Sequence, residues 1–275
     1  MKKIYLLPNL FTLGNIFFGF YSIIFTISGA FVRAAYMIII AGFFDVFDGK
    51  IARATNSTSR FGVEFDSLAD LVSFGVAPGV LVYLWALKPL GRIGWLGAFL
   101  FLVCGALRLA RFNVQVDKVS SERFIGLPIP CGAGMLASTV IFYHHYITTE
   151  PYKKPHSFLI TLLVYVLAIL MVSNIKYRSS KNITAKGKSP FKVMVVASII
   201  LIVVALKPEI TFFLIGLAYI TFGLLEAIPG FSKSLTIFRT KPAQHDEDGD
   251  DNNNDDEDLS TDFDDDNDDD DDDGN

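Results

Sequence analysis

Residues 45–70 read Asp45-Val46-Phe47-Asp48-Gly49-Lys50-Ile51-Ala52-Arg53-Ala54-Thr55-Asn56-Ser57-Thr58-Ser59-Arg60-Phe61-Gly62-Val63-Glu64-Phe65-Asp66-Ser67-Leu68-Ala69-Asp70, and they place five acids at the junction of two apolar runs. On a helix turning about 100° per residue, Asp45, Asp48, Gly49 and Ala52 share a face roughly 100° wide. Asp66 and Asp70 stand four residues apart on the next run, with Ser73 and Ala77 on the same side. Two helices can thus show four carboxylates to each other across residues small enough for close backbone approach.

Outward from this junction the chain is mostly apolar. Of its 275 residues, 51% are hydrophobic and 19% charged, and the mean hydropathy is +0.41; soluble domains carry about 25% charge. Eight apolar stretches stand out, at 6–28, 34–54, 63–87, 94–112, 130–147, 157–175, 191–206 and 210–228. Most approach the ~20 residues that carry a helix across a bilayer, and unpaired backbone groups are not tolerated in lipid. The expected fold is therefore an all-α, polytopic membrane bundle of about eight transmembrane helices. A transmembrane domain over 1–232 is followed by a cytoplasmic tail over 233–275. The run after Met1-Lys2-Lys3 holds Asn9, Thr12 and Asn15 and has no convincing cleavage site, so a signal peptide is not expected.

The net charge of −5 conceals two opposite parts. Residues 246–275 hold 19 Asp and Glu without one Lys or Arg, whereas residues 1–245 hold 24 Lys and Arg against 10 acids. The tail from 246 is too polar and too charged to bury a core, and disorder is expected there. The basic residues lie in short patches between bilayer-length runs, so nucleic acid is an unsuitable partner. With the N-terminus in the cytoplasm, six basic residues face outward (Arg33, Lys88, Arg92, Lys153, Lys154 and Lys207) and the other 18 face inward. That bias places both termini on the cytoplasmic side. The loop at 176–192 carries six of the inward bases and would attract anionic membrane lipid. Cys104 and Cys131 offer neither a disulfide framework nor a zinc spacing and read as small buried hydrophobes.

Ionisable groups at membrane depth are costly and need a partner. Pairing with Lys50, Arg53 and Arg60 is one way to hold these acids. Four Asp at paired helical spacing exceed what such pairing requires, and like charges in one cleft cannot all stay ionised without cations. Hard oxygen donors with no His or Cys nearby suit Mg²⁺ or Mn²⁺. Two such ions ~3.5–4 Å apart can clamp phosphoryl oxygens during an in-line displacement. Arg53, beyond Asp48, adds a fork for phosphate.

The run Asp45-x2-Asp48-Gly49-x2-Ala52-Arg53-x8-Gly62-x3-Asp66-x3-Asp70 resembles, at every position, the signature of the CDP-alcohol phosphatidyltransferases. The resemblance implies a membrane enzyme that moves a phosphatidyl group from a CDP-linked lipid to an alcohol and releases CMP. It implies two divalent cations, Mg²⁺ or Mn²⁺, held by Asp45, Asp48, Asp66 and Asp70, with Asp70 as general base. Gly49, Arg53, Ser59 and Gly62 fall where the family binds the CDP moiety. The segments 8–15 (PNLFTLGN), 67–78 (SLADLVSFGVAP), 107–113 (LRLARFN), 126–130 (GLPIP) and 173–177 (SNIKY) are similar to the membrane-spanning, serine-using branch of the family. CDP-diacylglycerol and L-serine are then the expected substrates, phosphatidylserine and CMP the products, and a homodimer in the cell membrane the expected assembly.

Asn9, Thr12 and Asn15 are polar on an apolar helix, and a role at the nucleotide end of the cleft is expected of them, against the plainer one of helix-packing hydrogen bonds. Arg108 and Arg111, near the cytoplasmic end of the fourth run, are candidates for the serine carboxylate, against the plainer role of anchors at the lipid headgroups. Sibling activities keep the same fold with glycerol-3-phosphate or inositol phosphate as acceptor, or an archaeal ether lipid as donor. A cation-coupled transporter is the alternative from another class, although no inverted repeat is visible.

Overall fold

The computed structural model describes residues 6–55, 59–115, 123–147, 157–173, 175–178, 194, 198 and 206–226. The expected helix at 191–206, the basic loop at 176–192 and the tail from 233 lie wholly or mostly outside these residues. The described chain is helical. Helix α1 spans Leu6–Ile27 and α2 Phe31–Ala54; α3 runs Arg60–Leu90. Helix α4 spans Arg92–Gln115, α5 Ile129–Phe142, α6 Ser157–Val172 and α7 Pro208–Glu226. The sole extended feature among the described residues is a ladder in which β1, Arg123–Ile125, pairs antiparallel with β2, Lys176–Arg178.

By length and composition three helices can cross a membrane: Pro8–Ile27, Arg60–Leu90 and Arg92–Val114. Helix α2 has the length but also carries Asp45, Asp48, Lys50 and Arg53. Large apolar side chains such as Phe17, Phe20, Phe99, Phe158 and Ile169 stand exposed around the bundle. In water such a girdle would be a liability; in lipid it costs nothing.

Helices α1 and α2 form an antiparallel hairpin with the most extensive mutual packing among the described residues. Its turn is a Schellman closure. Gly29, at φ +76°, donates to the Thr26 carbonyl at 3.0 Å, and the Ala30 N–H reaches Phe25 at 2.9 Å. The residue that makes this reversal must adopt a left-handed backbone, which glycine does without a Cβ penalty.

Helix α3 is not uniform. Its α-helical start ends at Asp70, and wider π-helical turns follow over Leu71–Val76 and again over Tyr83–Leu87. Pro78 accounts for the first of these. It has no N–H for the carbonyl four residues earlier, and its ring crowds that carbonyl, so the preceding turn loosens. The core gathers on α2 to α6, where Ile38, Phe74, Leu81, Phe101, Met135 and Met171 are fully buried. At the contact of α1 with α3, a Cβ on Gly19 would overlap the Ser73 side chain and stand 2.7 Å from its Cα. These two backbones therefore meet at a distance that only glycine permits.

Candidate functional site

The end of α2, the start of α3 and the first turns of α1 converge on one acidic cleft. Carboxylate oxygens of Asp45, Asp48 and Asp66 lie within 4.8 Å of one another. Asp48 and Asp70 are buried, at 5% and 8% exposure.

Helix α1 supplies the donors that orient two of these acids. The Thr12 hydroxyl donates to Asp48 Oδ2 at 3.0 Å. The Asn15 amide donates from Nδ2 to Asp70 Oδ1, also at 3.0 Å. Ser73, one turn beyond Asp70, donates from Oγ to the Asn15 backbone carbonyl at 2.9 Å. Thus one helix ties Asp48 on α2 to Asp70 on α3. Asn15 and Ser73 were legible as polar residues on apolar helices, but the bond from Asn15 to Asp70 carried no sequence signal.

A cation fits this donor set. The ligand atoms are hard carboxylate oxygens, and Asp66 Oδ1 is buried with no hydrogen-bond partner among the described residues. Arg53, expected to balance charge or hold phosphate, is exposed and donates from Nε to the Gly49 carbonyl at 2.9 Å, not to an aspartate. Its terminal nitrogens remain one turn from Gly49, with NH2 3.8 Å from the place of a Gly49 Cβ.

The residues expected around CDP form a second small group. Ser59 caps α3: its Oγ accepts from the Gly62 N–H at 3.0 Å, which leaves the hydroxyl proton free to donate elsewhere. Asn9 Oδ1 lies 3.5 Å from where a Gly62 Cβ would stand. The first turn of α1 thus meets the first turn of α3, and a side chain at Gly62 would crowd both Ser59 and Asn9.

Arg108 and Arg111, indistinguishable in sequence, separate in the fold. Arg108 is 9% exposed, and its Nε has no partner among the described residues. Arg111 donates to the Val172 carbonyl at 3.3 Å and ties α4 to α6. Nearby, Ser67 and Asn113 hydrogen-bond at 3.0 Å and link α3 to α4; both sit in segments singled out by sequence, though their pairing was not foreseen. His144, just past the end of α5, bonds to the Val140 carbonyl and packs on Trp85. Both cysteines are free thiols.

An apolar cavity of about 380 Å³ adjoins the cleft, with Val46 (between Asp45 and Asp48), Phe74, Cys131, Met135 and Tyr219 in its wall.

The sequence profile of the CDP-alcohol phosphatidyltransferases matches residues 5–170. A Helicobacter pylori protein named CDP-diacylglycerol–serine O-phosphatidyltransferase is 38% identical over 229 residues, 82% of this chain and 92% of that protein. A Bacillus subtilis protein of the same name is 38% identical over 181 residues, covering 66% of this chain and 94% of its own length. One from Methanocaldococcus jannaschii, again so named, is 35% identical over 182 residues, 66% of this chain and 78% of that one.

Proposed function

The chain belongs to the CDP-alcohol phosphatidyltransferase family, and from that premise we propose that it transfers the phosphatidyl group of CDP-diacylglycerol to the hydroxyl of L-serine, giving phosphatidylserine and CMP. The observation that carries this reading is the meeting of Asp45, Asp48 and Asp66 at one point, on helices bearing the family's signature. The names of the relatives supply the acceptor.

In this reading Asp45, Asp48, Asp66 and Asp70 hold two divalent cations, Mg²⁺ or Mn²⁺. When bound, these ions neutralise the diphosphate and stabilise the departing CMP. The rest of the work falls to the protein. A serine hydroxyl is too weakly acidic to ionise by itself at neutral pH, so a carboxylate must take its proton as the new phosphorus–oxygen bond forms and the bond to CMP breaks. Asp70 is the residue for that step. It stands outside the tight group of three, and the Asn15 amide fixes the direction of its carboxylate.

Arg108 binds the serine carboxylate. Its burial and its unpartnered Nε favour it over Arg111, whose guanidinium is engaged with Val172. Asn9, Thr12, Gly49, Arg53, Ser59 and Gly62 frame the CDP end, where a side chain at either glycine would narrow the cleft. The apolar cavity beside Val46 suits an acyl chain of the donor. The enzyme crosses the cell membrane about eight times through residues 1–232 and works as a homodimer. Its termini, tail and cleft are cytoplasmic, as the 18 inward bases support.

The test is incubation of purified protein with CDP-diacylglycerol, Mg²⁺ or Mn²⁺, and serine, glycerol-3-phosphate or inositol phosphate in turn. Serine-dependent release of CMP with formation of phosphatidylserine is expected. Release with another acceptor alone, or with none, would refute the substrate assignment.

A further inference from the structure

Among the described residues, three buried side-chain atoms lack a hydrogen-bond partner: Asp66 Oδ1, Asn15 Oδ1 and Arg108 Nε. Leaving such atoms unpaired costs about 1–3 kcal/mol each, so each one calls for a missing partner. Asp66 has its explanation in the cation cluster. The other two belong to Asn15, which holds Asp70, and to Arg108, the cation proposed above for the acceptor's carboxylate.

The chemistry of the pair is complementary. Asp70, as a carboxylate, can only accept, so the Asn15 amide must turn its NH2 toward Asp70 and its carbonyl oxygen away. What remains open is therefore one acceptor on Asn15 and one charged donor on Arg108. A simple anion would satisfy Arg108 and leave Asn15 unmet. A simple amine would do the reverse. A zwitterion satisfies both, and an amino acid whose hydroxyl lies at Asp70 carries its ammonium only three bonds from that oxygen.

We propose that Asn15 is a specificity residue of the acceptor site: Oδ1 receives the ammonium of the amino acid while Nδ2 holds Asp70 toward the hydroxyl. Asn15 is 0% exposed and its backbone carbonyl is pinned by Ser73, so the amide is placed rather than mobile. The inference rests on the serine-transfer reading above and adds to it the group that recognises the amine.

The experiment uses full-length protein in detergent or vesicles with CDP-diacylglycerol and Mn²⁺. The KM for serine is measured together with inhibition constants for ethanolamine, which lacks the carboxylate, and 3-hydroxypropanoate, which lacks the ammonium. Asn15→Ala is expected to raise the serine and ethanolamine constants about tenfold to a hundredfold, the worth of a charge-assisted hydrogen bond. The 3-hydroxypropanoate constant should stay within about twofold. Asn15→Asp keeps an oxygen for the amine but no donor for Asp70, so its kcat should fall while its serine KM stays near the wild-type value. Equal changes in all three constants with Asn15→Ala, a fall in kcat alone, or an Asn15→Asp KM as high as that of Asn15→Ala would overturn the inference. Absence of serine-dependent CMP release from the wild-type protein would instead overturn the reading beneath it.

Discussion

The Thr12 hydroxyl and the Asp48 carboxylate, 36 residues apart in sequence, meet at 3.0 Å inside the bundle. A threonine on a lipid-facing helix would satisfy itself on its own backbone, and Thr12 does lie 3.2 Å from the Pro8 carbonyl. The second, shorter contact makes it a support for an acid of the proposed cation site. Thr12→Val keeps the shape and removes the bond. It is expected to weaken metal affinity or turnover about 10- to 100-fold, as loss of such outer supports does at metal sites, read as a higher Mn²⁺ concentration at half-maximal rate.

The three clustered aspartates carry a steeper expectation. Replacing Asp48 or Asp66 with Asn removes a charge of the proposed ligand set while keeping volume, and turnover should drop by about 10³-fold or more, corresponding to several kcal/mol of transition-state stabilisation. Binding of Mn²⁺, followed by electron paramagnetic resonance on the same variants, should fall in parallel. Retained metal binding with lost turnover in Asp66→Asn would contradict its place as a ligand.

Chelation tests the same cluster from the other side. Four carboxylates left without cations repel one another, so treatment with EDTA should abolish turnover and also lower the melting temperature in detergent. Mg²⁺ or Mn²⁺ should restore both. An unchanged melting temperature would mean that the acids are balanced by something other than a metal.

Gly19 offers a mechanical test. Its Cβ would strike Ser73, and the space cannot open without drawing α1 from α3. Gly19→Ala is expected to destabilise by about 1–3 kcal/mol. By stretching the bond from Ser73 to the Asn15 carbonyl, it should cut kcat more than KM. Thermal unfolding and steady-state rates on one preparation check both effects.

Removal of residues 246–275 is expected to leave turnover unchanged, because every residue assigned a role lies before residue 220. A fall in rate upon truncation would assign the acidic tail a part in the reaction.

Much of this arrangement is readable in the sequence, for reasons that can be located. The apolar runs at 6–28 and 34–54 became α1 and α2 nearly residue for residue, since bilayer length and periodicity leave little choice. The run at 63–87 proved longer, Arg60–Leu90, because Ser59 caps the helix ahead of its apolar part and wide turns absorb Pro78. The facing of Asp45 and Asp48 with Asp66 followed from spacing within each helix. Spacing could not give the rotation of one helix against another. Asn15 met Asp70, and Arg108 parted from Arg111, through choices made by inter-helix packing. The β1–β2 ladder escaped notice because three residues are too few to show an alternating pattern.

The order in which these supports occur along the chain has a bearing on biogenesis. Thr12 and Asn15 leave the ribosome before Asp48 and Asp70, the acids they hold, and synthesis delivers the N-terminal part first. Each of these two acids is therefore synthesised after the donor that holds it in the folded bundle, so its partner exists before its own charge has to be placed.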